Sequence, residues 1–216
     1  MKRISRLPLI RAFSFIELLI LLFILAILAA LLLPALAKAK QRAQRIACVN
    51  NLKQDGLAFR IWALDHDDKF PMSAGATNEG TLEWVDGGNA FRHFQVMSNE
   101  LNTPKILVCP TDTRREAWSF DHLDNANLSY FVGLDATDTR PQMFLDGDRN
   151  ITNGLAPERT VLDLPPSRPA GWTGALHNLN GNVGLADGSV QNFSTSALRS
   201  AIENTGDTTN RIALPE

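Results

Sequence analysis

No acidic side chain occurs in the first sixteen residues, although Lys2, Arg3, Arg6 and Arg11 all fall there. The 216-residue chain has only two cysteines, Cys48 and Cys109, one tyrosine and four scattered histidines. No two histidines stand at metal spacing such as H-x-x-x-H, which excludes a zinc site built on one helical turn. The chain contains neither a G-x-S-x-G elbow nor a G-x-x-x-x-G-K loop. It therefore lacks the sequence marks of an α/β-hydrolase and of a P-loop nucleotidase. Internal repeats and long low-complexity tracts are absent as well. Beyond residue 12 the chain has 17 basic against 23 acidic side chains, a net charge of −6. That balance argues against autonomous nucleic-acid binding, which needs a basic surface. The tryptophans, Trp62, Trp84, Trp118 and Trp172, are spread too widely for a sugar platform and read as core or rim.

What is present begins with an apolar run from Phe13 to Ala37, broken by one charge, Glu17. About twenty such residues span a bilayer. The basic residues ahead of the run keep the N-terminus cytoplasmic by the positive-inside rule and send everything after residue 37 across the membrane. Lys38, Lys40, Arg42 and Arg45 lie just beyond the run and weaken that bias without reversing it. A carboxylate inside a span costs roughly 2.5–3.5 kcal/mol near the bilayer centre, so Glu17 calls for a partner or a task. Two simple accounts are a plain signal anchor, with Glu17 near the interface, and a secretory signal cut at Ala35-Leu36-Ala37. The second fits poorly, because such hydrophobic regions run only 7–15 residues.

A third account is a resemblance. Ala12-Phe13-Ser14-Phe15-Ile16-Glu17-Leu18-Leu19 resembles the processing signal of type IV pilins and type II secretion pseudopilins. There a basic leader precedes a small residue, cleavage falls before Phe, and Glu is fifth in the mature chain. The family overwhelmingly has Gly where this chain has Ala12. Pro34 falls at the twenty-second mature position, where many pilins have a proline. Cys48-Val49-Asn50-Asn51-Leu52-Lys53-Gln54 through Pro71 is similar to a large-domain pseudopilin subgroup. His177 with Asp187-Gly188 matches a pattern of many prepilin-processed proteins.

The resemblance implies an α+β, pilin-like fold with a long N-terminal helix packed on a C-terminal antiparallel sheet. Its parts would be a leader over 1–12, a transmembrane or filament-core helix over 13–37, an amphipathic continuation over 38–64, and an extracytoplasmic domain over 65–216. It also implies cleavage between Ala12 and Phe13 by a prepilin peptidase/methyltransferase, methylation of Phe13, and assembly with other pilin or pseudopilin subunits on an inner-membrane platform. The protein would sit in the inner membrane with a periplasmic C-terminal domain and would be a structural subunit, not an enzyme. A minor tip pilin acting in binding, adhesion or DNA uptake is the alternative. In the family, Glu17 would pair with the amine of a neighbouring subunit's Phe13 and set register.

Periodicity supports one helix from about Phe13 to Leu64, with a stripe at Ile46, Val49, Leu52, Phe59 and Ala63. Asp65 to Pro71 ends it with turn formers. A short strand is expected at 82–85, a helix over 89–101, and strands at 105–109, 128–132 and 142–145. Three further strands are expected at 172–177, 182–186 and 189–193, with turns at Asn180-Gly181 and Asp187-Gly188. The second turn suits a type I′ hairpin. Ser194-Thr195-Ser196 can cap a helix over 197–204 that Gly206 closes.

Three sets of residues carry candidate chemistry. Cys48 and Cys109 would both lie in an oxidising compartment, where pairing is permitted, the other reading being buried free thiols. A bridge would contribute on the order of 4 kcal/mol. His177 reads mainly as a structural contact to the Asp187-Gly188 turn across neighbouring strands. Asp146-Gly147-Asp148-Arg149-Asn150 opens like a calcium loop, but Ile151 and Pro157 replace the glycine and glutamate an EF-hand needs. Calcium held in another way, by ligands drawn from Asp146, Asp148, Asp135 and Asp138, stays open. No other cofactor is expected.

Overall fold

Helix α1 runs unbroken from Phe15 to Leu64 in a computed structural model that describes residues 14–155 and 160–216. Ala12, Phe13 and Pro157 lie outside the described residues. The chain divides into two compact units, Met1–Arg42 and Ala43–Glu216. In the first, every described residue is exposed. Leu, Ile and Ala are strong or tolerable helix formers, and Pro34 sits inside the helix without ending it. This part of α1 is long and apolar enough to cross a membrane. Ser14 precedes the first turn, and its backbone N–H donates to Glu17 Oε2 at 2.9 Å. That is one half of a capping box, with the acid also near the positive end of the helix dipole.

In the second unit, α1 buries Cys48, Leu52, Asp55, Phe59 and Trp62. Their alternating spacing of four and three residues draws one face of a helix. The expected stripe is therefore turned. Ile46 is 56% exposed and Val49 only half-buried. The inward face includes Asp55 and Gly56, which do not register as apolar. Beyond α1, Asp67 and Asp68 take left-handed backbone angles, and the chain turns at Phe70-Pro71.

Residues 71–127 hold short helices and 3-10 turns, without a strand. The strand expected at 82–85 is a 3-10 segment, Leu82–Gly87. Glu83 accepts the Ala76 N–H with both carboxylate oxygens, at 2.9 and 3.1 Å, and the coil suits that contact. The single helix expected over 89–101 is two, α2 (Ala90–Gln95) and α3 (Ser98–Leu101). The strand expected at 105–109 is a 3-10 turn, Pro104–Leu107. Pro104 has no N–H to give a ladder, and Thr103 Oγ1 caps the turn on Lys105 N.

Six strands form one antiparallel sheet in the order β4-β8-β1-β2-β6-β7. They are β1 (Tyr130–Gly133), β2 (Phe144–Asp148), β4 (Val161–Asp163), β6 (Asn180–Leu185), β7 (Val190–Ser194) and β8 (Arg211–Ala213). A second ribbon pairs β3 (Ile151–Thr152) with β5 (Gly171–Trp172). Tyr130, Val132 and Leu145 join the core containing Leu52, Phe59 and Trp62. Phe131, Phe144, Val183 and Phe193 join the opposite core with α4 (Thr195–Asn204), through Leu198 and Ile202. Ser194 caps α4 as expected, accepting from Ala197 N.

Three expectations about the C-terminal meander change. Of 172–177 only Trp172 is in a strand, because His177, Asn178 and Leu179 all have left-handed φ angles of 50–60°. Asn180-Gly181 begins β6 instead of turning, and a Cβ on Gly181 would meet the Trp172 ring at 2.2 Å. The Asp187-Gly188 turn uses positive φ only at Gly188. Gly188 N–H bonds to Leu185 O and Leu185 N–H to Ser189 O, both at 2.8 Å. This is the three-residue loop with a left-handed glycine, not type I′.

Candidate metal-ligand cluster

Asp148 reaches α1 because β2 is irregular. Pairing with β6 shifts register between Phe144 and Asp146, and such a bulge re-aims the side chains beyond it. Asp146 and Asp148 then stand opposite Val132 and Tyr130, on the sheet face that receives α1. A Cβ at Gly184 would lie 1.9 Å from Asp146 Oδ1, so only glycine admits that carboxyl.

Four donor atoms meet there, from Cys48, Cys109, Asp148 and His177, all within 4.8 Å of one another. Cys48 Sγ is 3.2 Å from Asp148 Oδ1. His177 Nε2 is 3.4 Å from Asp148 Oδ2 and 3.4 Å from Cys109 Sγ. Both cysteines are free and buried. The Asp148 and His177 side chains are 0% and 2% exposed.

The surrounding groups fix each donor. Tyr130 OH donates to Cys48 Sγ at 3.4 Å. Asn182 gives Asp148 Oδ2 its backbone N–H at 2.7 Å and its amide at 2.9 Å. Arg149 clamps Asp112 with two bonds of 2.8 and 2.9 Å, and Asp112 N–H closes a turn on Cys109 O. Asn150 Nδ2 faces the carbonyls of Thr173, Leu176 and Asn180 at 3.0, 3.0 and 3.1 Å, gathering the loop that carries His177. Arg45 on α1 donates to His177 O, and Asn51 to Val108 O. Three successive residues of β2 and its exit thus supply one donor and position two others.

Electrostatics distinguishes the two sulfurs. Hydrogen bonding from Cys48 lowers the Cys109 thiol to about 4, with the His177 imidazole assisting against the cost of burial. The bond to Cys109, burial and the Asp148 carboxylate push Cys48 up. Burial raises Asp148 to about 6, opposed by His177 and the Asn182 N–H. Burial alone would lower His177, but Cys109 and Asp148 outweigh it and hold it above its ordinary value. The arrangement is a buried proton-sharing cluster whose members all become metal ligands on losing their protons.

The structure joins residues that the sequence assigned to three different tasks. Cys48 and Cys109 come together as free thiols, with no disulfide between them. Of the calcium candidates, Asp148 stands in this cluster, Asp135 binds Arg211 at 2.7 Å, and Asp146 lies by Asp55, with no hydrogen-bond partner on either carboxyl among the described residues. Sulfur and imidazole neighbours at Asp148 are not the oxygen cage calcium takes. His177 does not touch the Asp187-Gly188 turn, because the two lie at opposite ends of β6. Gly188 instead approaches Gly56 on α1, while Arg60 donates to Asp187 O at 2.6 Å. The nine-residue spacing therefore measures the length of one strand. Arg149, Asn150, Asn182 and Tyr130 were not anticipated. The only local signal was the adjacency of Arg149 and Asn150 to Asp148. No protein-family model, curated protein or solved structure matches the chain.

Proposed function

We propose that the chain is a structural subunit of a type IV pilus-like or type II secretion filament, with no catalytic task of its own. One observation supports this most. A single helix is apolar on all sides and exposed through its first turns, and its later turns bury one face in a domain with an antiparallel sheet. An all-round apolar helix is stable only in lipid or against other apolar helices. A subunit that moves from membrane to filament core meets both conditions in turn.

Within one chain, Glu17 accepts the Ser14 N–H. In a filament it would also face the amine of a neighbour's Phe13, offsetting the cost of two buried charges. Intact mass of the protein extracted from membranes tests the processing. The expected species starts at methylated Phe13; a species retaining Met1, or starting at Lys38, overturns the reading. Glu17→Gln separates the two tasks of this residue, because glutamine keeps the capping acceptor and removes the charge. It should insert normally yet give no sheared filaments on blotting.

A further inference from the structure

We propose that Cys48, Cys109, Asp148 and His177 form a closed, four-ligand zinc site that staples α1 to the sheet. Zinc binds thiolate, imidazole and carboxylate at about 2.3, 2.0–2.1 and 2.0–2.2 Å in tetrahedral array. Those lengths place the donors roughly 3.3–3.8 Å apart. The Cys109 Sγ to His177 Nε2 separation of 3.4 Å falls on such an edge, and Cys48 Sγ lies slightly inside one at 3.2 Å from Asp148 Oδ1. His177 Nε2 is 3.4 Å from the other oxygen, Oδ2, and one donor atom from each residue lies within 4.8 Å of the other three. Two sulfurs with one imidazole select zinc over the hard cations.

The supporting shell is that of a metal site. Tyr130 and Asn182 approach Cys48 Sγ at 3.4 and 3.6 Å, and Asn182 also holds Asp148. Such outer bonds orient ligands. Four protein donors leave no open position, so the ion is structural. The donors come from α1, the turn at Cys109, β2 and the left-handed segment at His177. They are as far as 129 residues apart in sequence. One ion cross-links all four segments where a disulfide would join two and leave Asp148 and His177 without sulfur partners.

The test uses the full chain purified in detergent without chelator. Elemental analysis should find about one zinc per chain, with both cysteines slow to alkylate until a chelator is added. Chelation should lower the melting temperature by about 10 °C, and added Zn2+ should restore it. Cobalt substitution should give the thiolate charge-transfer and intense visible bands of a tetrahedral site. His177→Ala and Cys109→Ser should each reduce bound zinc at least tenfold. If those variants do not fold, the wild-type metal content and cobalt spectrum decide. Protein that refuses zinc, whether its cysteines alkylate freely or only after reduction of a disulfide, overturns the proposal. So does a weak, octahedral cobalt spectrum.

Discussion

Asn150 shows how much one side chain can hold. Its amide gathers two carbonyls of the loop before β6 and that of Asn180, the first residue of β6, and this loop contains three consecutive left-handed, non-glycine residues. Such angles persist only where neighbours over-determine them. Asn150→Ala should therefore cost about 2–3 kcal/mol in urea unfolding, since it leaves buried carbonyls unpaired. His93 gives a pH test away from the cluster. It is fully buried, with Nδ1 2.7 Å from Thr81 Oγ1 and Nε2 without a partner among the described residues. Burial lowers its pKa from 6.5 to about 4. The fold thus favours the neutral ring, and the unfolded chain binds the proton first. This contribution is complete above pH 6.5 and is lost as pH falls toward 4. Its full size is about 3 kcal/mol. Unfolding midpoints between pH 7 and pH 5 should fall in the wild type and fall less in His93→Leu.

At the scale of elements, β2 and α1 decide the site together. The bulge in β2 turns Asp146 and Asp148 toward α1, and Gly184 makes the space. Gly184→Ala should destabilise by more than about 2 kcal/mol, because its Cβ would strike a buried carboxyl. Gly174→Ala meets nothing within 4 Å among the described residues and should be neutral or slightly stabilising. Near-ultraviolet circular dichroism during thermal unfolding separates the two. On α1, burial pushes the Asp55 carboxyl well above its usual range, with Asp146 adding to it. The folded state holds this proton to higher pH than the unfolded chain does. Stability from Asp55 is therefore lost as pH rises above 3.8. Asp55→Asn should raise the urea midpoint at pH 8 more than at pH 4.

The whole molecule combines one helix suited to lipid with one domain suited to water. Leu18 to Leu33 contains no charged side chain, so alkaline carbonate should leave the chain in the membrane pellet. Leu25→Lys with Leu28→Lys places two charges in mid-helix, each costing about 2.5–3.5 kcal/mol on insertion. That double variant should appear largely in the carbonate supernatant. Its effect belongs to the first unit, and the cysteine accessibility of the second should not change.

The long helix, its end at Asp65-Pro71, the α4 cap and the strands β6 and β7 were legible in the sequence, because they depend on local periodicity, propensity and turn chemistry; β8 was not. Ser14-x-x-Glu17 was equally local, yet its capping role was obscured by the puzzle of an acid in a span. The inward face of α1 was not legible, because a buried aspartate and a glycine lie on it. Nor could periodicity foresee the 3-10 segments at 82–87 and 104–107, where Glu83 and Pro104 override strand propensity. The cluster was beyond local reading altogether. Cys48 with Cys109, Asp148, and His177 looked like parts of three different devices. A bulge, a three-residue clamp and a left-handed loop bring them within 4.8 Å. Sequence determined which donors the chain possesses; only tertiary packing decided that they share one point, because contacts across so many residues depend on register and close approach.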